Sequence, residues 1–451
     1  MTLPESLLTR AVTDPDVKAT YAVDESVGAL APERYEVVRA RDLGDVVEVL
    51  THAQATGTPV VPQGARSGLA GGSVALDGGI VLSLEGLNQI TELDPVEGIA
   101  VVQPGVITAD LKVAAAAEGL FYPPDPASSA FCSIGGNVAT NAGGLCCVKY
   151  GVTADYVRGL EVVLAGGEVI RTGHRTAKGV AGLDLTGLFV GSEGTLGVVT
   201  EVITKLVPAP DPALTALATF DSLAAASAAI VALRGERHRP SLLELLDEPT
   251  LVAVQAIADY GFPTGCEAVL IVQADRPGHT AEDVQRYAQL LELAGATEVA
   301  VADDVQESEA LLAGRRALHH ALVAKGTHFI EDLCVPVRQL TELIAAGHEI
   351  SARTGVEITM SGHGGDGNLH PSFFYDAADD DSRHRAEEAF GDLVKVALGM
   401  GGTITGEHGV GSLKARWLPD EVGAASIERQ RAVKALFDPR GILNPGRVYW
   451  S

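Results

Sequence analysis

The sequence predicts an α+β protein of two or three domains, the second of them ferredoxin-like. Three observations carry that prediction. A chain of 451 residues with 46% hydrophobic content and 51 glycines suits a large packed core of helices and strands rather than a fibrous or disordered chain. Pro208 and Pro210 punctuate the middle of the chain and mark a domain boundary. Beyond them a strand–helix–strand pattern occurs twice, which implies a sheet covered by helices on one face.

Taken in order, residues 1–34 read as an N-terminal extension with a short helix over Leu3–Val12. The fold starts at Tyr35. Tyr35–Ala40 reads as a strand, Asp42–Thr56 as a helix with Asp42 and Asp45 in its first turn, and Pro59–Gln63 as a strand. A glycine-rich loop, Gly64–Ser73, follows directly. Such a loop after a buried strand can converge its backbone N–H groups on a pyrophosphate, and it fits neither the P-loop nor the Rossmann pattern. Ile80–Ser83 and Ile99–Gln103 are further strands, Thr108–Glu118 a helix, and Phe121–Pro126 a stiff extended segment. The run Cys132–Gly144 has almost no bulky side chains, so a large flat ligand can lie against its backbone. Val157–Leu164 and Val169–Thr172 pair around a Gly-Gly turn, and Val198–Leu206 is the last strand before the boundary.

In the second half the two repeats are Leu214–Phe220, Leu223–Leu233, Ser241–Leu246 and then Ala268–Ala274, Ala281–Ala294, Glu298–Val301. Helix Glu307–Ala324, strand Phe329–Val335 and helix Val337–Thr354 lead to strand Glu357–Met360 and the stretch Ser361–His370. Helix Ser382–Leu398 precedes Gly406–Gly411, and the end, Phe437–Gly446, is rich in turns.

The chemistry concentrates in Ser361–His370 and Gly406–Gly411. On one straight strand His363 and His370 would face opposite ways, but the Gly/Asp/Asn turn between them can fold the chain back and aim both rings at one point. With Glu407 they make a two-His, one-carboxylate set of the kind that holds a divalent ion and leaves a position open. His408 is left to move a proton. Either histidine alone reads as a turn residue satisfied by backbone; the whole set reads as functional.

Several classes are excluded. A formal net charge of -26 argues against nucleic acid or an anionic membrane surface as partner. The five cysteines form no disulfide framework, iron–sulfur run or haem motif. The N-terminus lacks a signal-peptide pattern, and no apolar stretch could span a bilayer. A cytoplasmic protein is the expectation, with peripheral attachment to the inner membrane and a homodimer left open.

The loop Pro62–Ser73, the run Cys132–Gly144 with Lys149-Tyr150-Gly151, Gly191–Gly197, His363–His370, Glu407-His408-Gly409 and Asp438–Gly446 together resemble one family. It is the FAD-linked 2-hydroxyacid dehydrogenases of the vanillyl-alcohol oxidase superfamily, whose members include D-lactate dehydrogenase, the flavin subunit of glycolate oxidase and D-2-hydroxyglutarate dehydrogenase. The likeness spans nearly the whole chain. It implies an FAD-binding domain of two subdomains over 35–210, a substrate (cap) domain over 211–400, and a segment 401–451 returning to the flavin. It puts Pro62 and the backbone of Gly64, Ala65, Arg66, Ser67 and Gly68 at the pyrophosphate. It sets Pro124, Asp125, Ser128, Gly135, Gly136, Asn137, Thr140, Gly143 and Tyr150 along the cofactor, with Glu193, Gly197 and Val199 near adenine and Asn444 near the isoalloxazine. It makes His363, His370 and Glu407 ligands of Zn or Mn and His408 the catalytic histidine. The histidine that some relatives use to attach flavin is absent from the glycine-rich loop, which implies non-covalent FAD.

The implied reaction oxidises a D-2-hydroxy acid to the 2-keto acid, with hydride passing to flavin N5. Arg315 is the candidate to clamp the substrate carboxylate, in competition with Arg316. Lys414 reads as a solvated lysine, or as charge balance near Glu407. Ile330 and Ser372 stand where hydroxyglutarate enzymes carry Lys and Asn, which favours a lactate- or glycolate-sized substrate over D-2-hydroxyglutarate. The chain has no second redox centre, so the electron acceptor is external: a quinone, a cytochrome, an electron-transfer flavoprotein, an iron–sulfur subunit or oxygen. A metal-dependent hydrolase and a non-catalytic binding module are the readings of other classes.

Overall fold

A computed structural model describes residues 3–28, 30–263 and 265–449. The chain divides into two compact units. The first comprises Met1–Gly143, Val152–Ala209 and Glu407–Ser451, and the second Gly144–Gly151 and Pro210–Gly406.

The first unit holds two sheets. Strands β1 (Tyr35–Arg39), β2 (Val60–Gln63) and β3 (Gly79–Ser83) are parallel, with β3 in the centre. Their Val/Ile runs are buried, as a parallel sheet covered on its faces requires. Helix α1 (Leu43–Thr56) connects β1 to β2; the Asp42 side chain caps it by accepting from Asp45 N at 3.0 Å. Gly57, with φ 74°, ends it. The tail 442–444 adds to this sheet: Val60 N donates to the Ile442 carbonyl at 2.7 Å, and Asn444 N to the Val60 carbonyl at 2.8 Å.

The second sheet is antiparallel, in the order β4 (Ile90–Asp94), β5 (Ile99–Val102), β8 (Val198–Lys205), β6 (Val157–Val163), β7 (Val169–Gly173). Strict alternation of buried and half-buried residues along β8 shows one face turned to the core. The run of small residues after Cys132 is not an open loop throughout. Ile134–Thr140 forms helix α2, with the Ser133 hydroxyl accepting from Gly136 N at its start and Asn141 in the left-handed region at its end. The capping serine and the Asn exit were the available signals; glycines at two of its seven positions hid them.

The second unit is built on one antiparallel sheet. Its strands and helices run β9 (Leu214–Phe220), α3 (Leu223–Arg234), β10 (Leu242–Asp247), α4 (Glu248–Ile257), β11 (Ala268–Ala274), α5 (Thr280–Leu293), β12 (Glu298–Val301), α6 (Val305–Lys325), β13 (His328–Ile330), β14 (Ile358–His363) and β15 (Asn368–Phe374). The spatial order is β12-β9-β11-β10-β14-β15-β13. Its first four strands take the fourth-first-third-second order of a ferredoxin-like repeat, and β14, β15 and β13 extend it. Helices α3 and α5 pack on β9 and β11. The opposite face is also covered, because α4 and α6 bury Leu251, Val254, Leu312 and Leu322 against Leu242, Leu246, Val269 and Ile271. Coverage by helices on one face alone is therefore corrected: α4, capped by Asp247 and with Pro249 in its first turn, is not among the expected helices.

Candidate functional site

Strands β14 and β15 form a hairpin in which Ser361 faces His370 and His363 faces Asn368. Opposed residues of an antiparallel pair share a face, and so do residues two apart on one strand. His363, His370, Asn368 and Ser372 thus all project from one side. The rings of His363 and His370 stand 5.0 Å apart at 80°, with 3.3 Å between their Nε2 atoms. The loop Gly364–Gly367 makes this possible. Gly367 has φ 92°, and a Cβ there would lie 2.1 Å from the Val335 carbonyl oxygen. A Cβ on Gly365 would lie 2.5 Å from the Val148 side chain.

Each histidine has a buried carboxylate behind it. Glu244, on β10, accepts from His363 Nδ1 at 2.5 Å and from Arg315 Nε at 2.7 Å, and is wholly buried. Burial pushes its carboxyl up, but the adjacent His363 and Arg315 outweigh that and hold it below the usual carboxylate range. Asp332 Oδ1 lies 3.9 Å from His370 Nδ1. Its Oδ2 accepts from Thr405 Oγ1 at 2.6 Å and Gly406 N at 2.8 Å. Gly406 precedes Glu407 and His408 in the chain, so this carboxylate fixes the point from which both start. Arg316, by contrast, is 58% exposed and pairs with Glu309. Ile330 and Ser372 are opposed across β13 and β15.

In the first unit, Gly64, Ala65, Arg66, Ser67 and Gly68 form an irregular loop after β2, and Gly135, Gly136, Asn137 and Thr140 lie on α2. The two come close: a Cβ on Gly64 would lie 2.3 Å from Ser133 Oγ. Arg66 has φ 61° and gives its guanidinium to Glu85 at 2.5 Å. Asp125 pairs with Lys112. Asn444, with φ 43°, donates Nδ2 to the carbonyls of Gly72 and Glu193, and its buried Oδ1 has no hydrogen-bond partner among the described residues. The same holds for Gln63 Oε1. Orphan acceptors beside a loop without side-chain bulk fit a polar, flat cofactor.

The remaining site candidates are spread over both units. Tyr150 belongs to the second unit, where its hydroxyl donates to Asp275 Oδ2 at 2.6 Å. Glu193 turns its carboxylate to the backbone N–H groups of Val410 and Gly411, at 2.7 and 2.8 Å. Burial drives its carboxyl up to about 7 against those two bonds and the charges of Lys414 and Arg447. Lys414 is not solvated: it is 2% exposed and its charge acts on Glu193. Gly197 packs against Val162 and Phe189, and Val199 lies on β8. Pro124 and Ser128 sit in the segment before α2, and Gly143 ends the first stretch of this unit.

Sequence reasoning missed Glu244 and Asp332. The signal for Glu244 was present: one acid among four leucines, Leu242-Leu243-Glu244-Leu245-Leu246, is a charge that must find a partner inside the core.

Residues 209–448 match the model of the FAD linked oxidases, C-terminal domain, and residues 36–173 match an FAD binding domain. This chain belongs to the FAD-linked oxidases. It is 44% identical to the glycolate oxidase subunit GlcD of Bacillus subtilis (strain 168), over 92% of this chain and 88% of that one. It is 33% identical to the D-lactate dehydrogenase of Anaerostipes hadrus, over 98% and 95%. The solved structure of p-cresol methylhydroxylase with substrate bound superposes with a TM-score of 0.79, covering 98% of this chain and 94% of the other at 18% identity, which shows a shared vanillyl-alcohol-oxidase-type fold. The chain is therefore an FAD-dependent oxidoreductase, and membership over nearly its full length sets aside the hydrolase and the inert scaffold. Among the described residues no helix is long and apolar enough to cross a membrane.

Proposed function

We propose that this oxidoreductase converts a D-2-hydroxy acid of lactate or glycolate size to the 2-keto acid, and that it holds a divalent ion, Zn or Mn, on His363, His370 and Glu407. The observation that carries the reading is the histidine pair. With its Nδ1–H given to Glu244, the Nε2 of His363 carries a lone pair, and it faces the Nε2 of His370 at 3.3 Å. Two imidazole nitrogens bound at about 2.0–2.1 Å to one tetrahedral ion stand roughly 3.3 Å apart. Glu407 follows Gly406, which Asp332 anchors, and supplies the carboxylate that completes a two-His, one-Glu set.

When bound, FAD supplies the hydride acceptor, and a divalent ion supplies the positive charge that favours an ionised 2-hydroxyl. His408 takes the hydroxyl proton. The terminal amino groups of Arg315 pair with the substrate carboxylate, since Nε is already given to Glu244. Pro62, the loop Gly64–Gly68, Pro124, Asp125, Ser128, the small residues of α2, Gly143, Tyr150, Glu193, Gly197, Val199 and Asn444 serve the cofactor. Ile330, opposite Ser372, is apolar where hydroxyglutarate relatives carry lysine, which favours a monocarboxylate. The names of the relatives, glycolate oxidase and D-lactate dehydrogenase, agree with that size.

The test is anaerobic flavin reduction followed by bleaching of the flavin absorbance. D-lactate or glycolate should reduce the flavin faster than D-2-hydroxyglutarate. Chelation should slow reduction, and added Zn or Mn should restore it. Faster bleaching by D-2-hydroxyglutarate, or full rates in chelator, overturns the corresponding half of the reading.

A further inference from the structure

Glu244 is a carboxylate in the middle of a leucine strand, with no exposure to solvent. A lone buried charge is too costly to persist, so its partners define what it is for. It has two. One oxygen accepts from Nδ1 of His363 at 2.5 Å and the other from Nε of Arg315 at 2.7 Å. Among the described residues the Arg315 side chain makes no other hydrogen bond. The three groups come from different elements, β10, β14 and α6, and the carboxylate joins them.

We propose that Glu244 is a positioning residue that holds His363 in the Nδ1–H tautomer, so that Nε2 is the nitrogen that ligates, while gripping Arg315 by its Nε edge. One carboxylate thus aligns both the ion-holding imidazole and the guanidinium that takes the substrate carboxylate. A carboxylate behind a ligating histidine fixes ring orientation and raises ligand basicity. The proposal rests on the function given above, because it assigns His363 and Arg315 the roles they have there. A charge-neutral amide at 244 can still fill the space, but it can donate as well as accept, so it no longer dictates the tautomer.

The experiment uses the full-length flavoprotein labelled with 15N-histidine, stripped with chelator and held at pH 8. The His363 signals are assigned by their loss in His363→Asn. Wild type should show the proton of His363 on Nδ1. Glu244→Gln should shift that tautomer, weaken Zn binding roughly 10–100-fold in a competition titration, and raise KM for D-lactate as Arg315 loses its anchor. A wild-type His363 with its proton on Nε2 overturns the proposal without recourse to any variant. So does a Glu244→Gln protein, folded and flavin-loaded, whose tautomer and Zn affinity stay within twofold of wild type. A wild type that binds no Zn and oxidises no 2-hydroxy acid, yet shifts its His363 tautomer in Glu244→Gln, ends the functional reading while supporting the hold of Glu244 on His363.

Discussion

Glu193 shows how a single buried acid can tune this protein with pH. Its carboxyl sits at about 7 in the folded chain, raised first by burial, against an ordinary value of 4.5. Below 4.5 it is protonated whether the chain is folded or not, and contributes no penalty. Between 4.5 and 7 only the unfolded chain ionises it, so the unfolded state binds fewer protons and stability falls as pH rises. Above 7 the folded chain carries the charge, and the loss levels off. A displacement of about two and a half pH units corresponds to roughly 3 kcal/mol. Wild type should therefore lose denaturation midpoint between pH 5 and 7, and Glu193→Gln should lose less. Parallel midpoint-versus-pH curves for the two proteins would rule this out. The residue matters beyond stability because its two backbone bonds hold Val410 and Gly411, the chain just after Glu407 and His408.

Among the elements, the β14–β15 hairpin does the most with the least. Its turn must place Gly367 at φ 92° and within reach of the Val335 carbonyl. An alanine there meets both a disfavoured backbone region, at a cost of about 1–3 kcal/mol, and a backbone oxygen that cannot rotate away. On the proposed His363, His370 and Glu407 set, Gly367→Ala should lower the stability of the second unit and the amount of Zn the protein retains after loading. FAD content should stay near wild type, because the glycine-rich loop and α2 belong to the first unit. Metal and flavin stoichiometry on one preparation decides it; an alanine variant with full Zn content would refute the role given to the turn. This hairpin was also legible from sequence. The glycines, Asp366 and Asn368 announced a turn, although strand β15 after it did not stand out behind Pro371. The repeat of β9 to β12 was legible because each strand is a short apolar run between turns. What the sequence hid was long-range: the pairing of Glu244 with His363 spans 119 positions, and no local periodicity encodes it.

For the molecule as a whole, charge is the property that bears on the external electron acceptor the proposed reaction requires. The formal net charge is -26 at pH 7. In the proposed reaction the electrons pass to an external acceptor, which has to approach a strongly negative molecule. Long-range attraction concentrates cations there and depletes anions, and both effects shrink as salt shortens the Debye length from about 30 Å at 0.01 M to about 10 Å at 0.1 M. Reoxidation of the reduced flavin by a small cationic dye should thus slow as ionic strength rises. Reoxidation by ferricyanide, an anion, should speed up over the same range. Stopped-flow traces at fixed acceptor concentration measure both slopes. Opposite signs would mean that the net charge steers acceptors and would direct the search toward a basic partner protein. Slopes of the same sign, or none, would mean that the local field where acceptors dock differs from the field of the whole chain, and net charge would then carry no information about the partner.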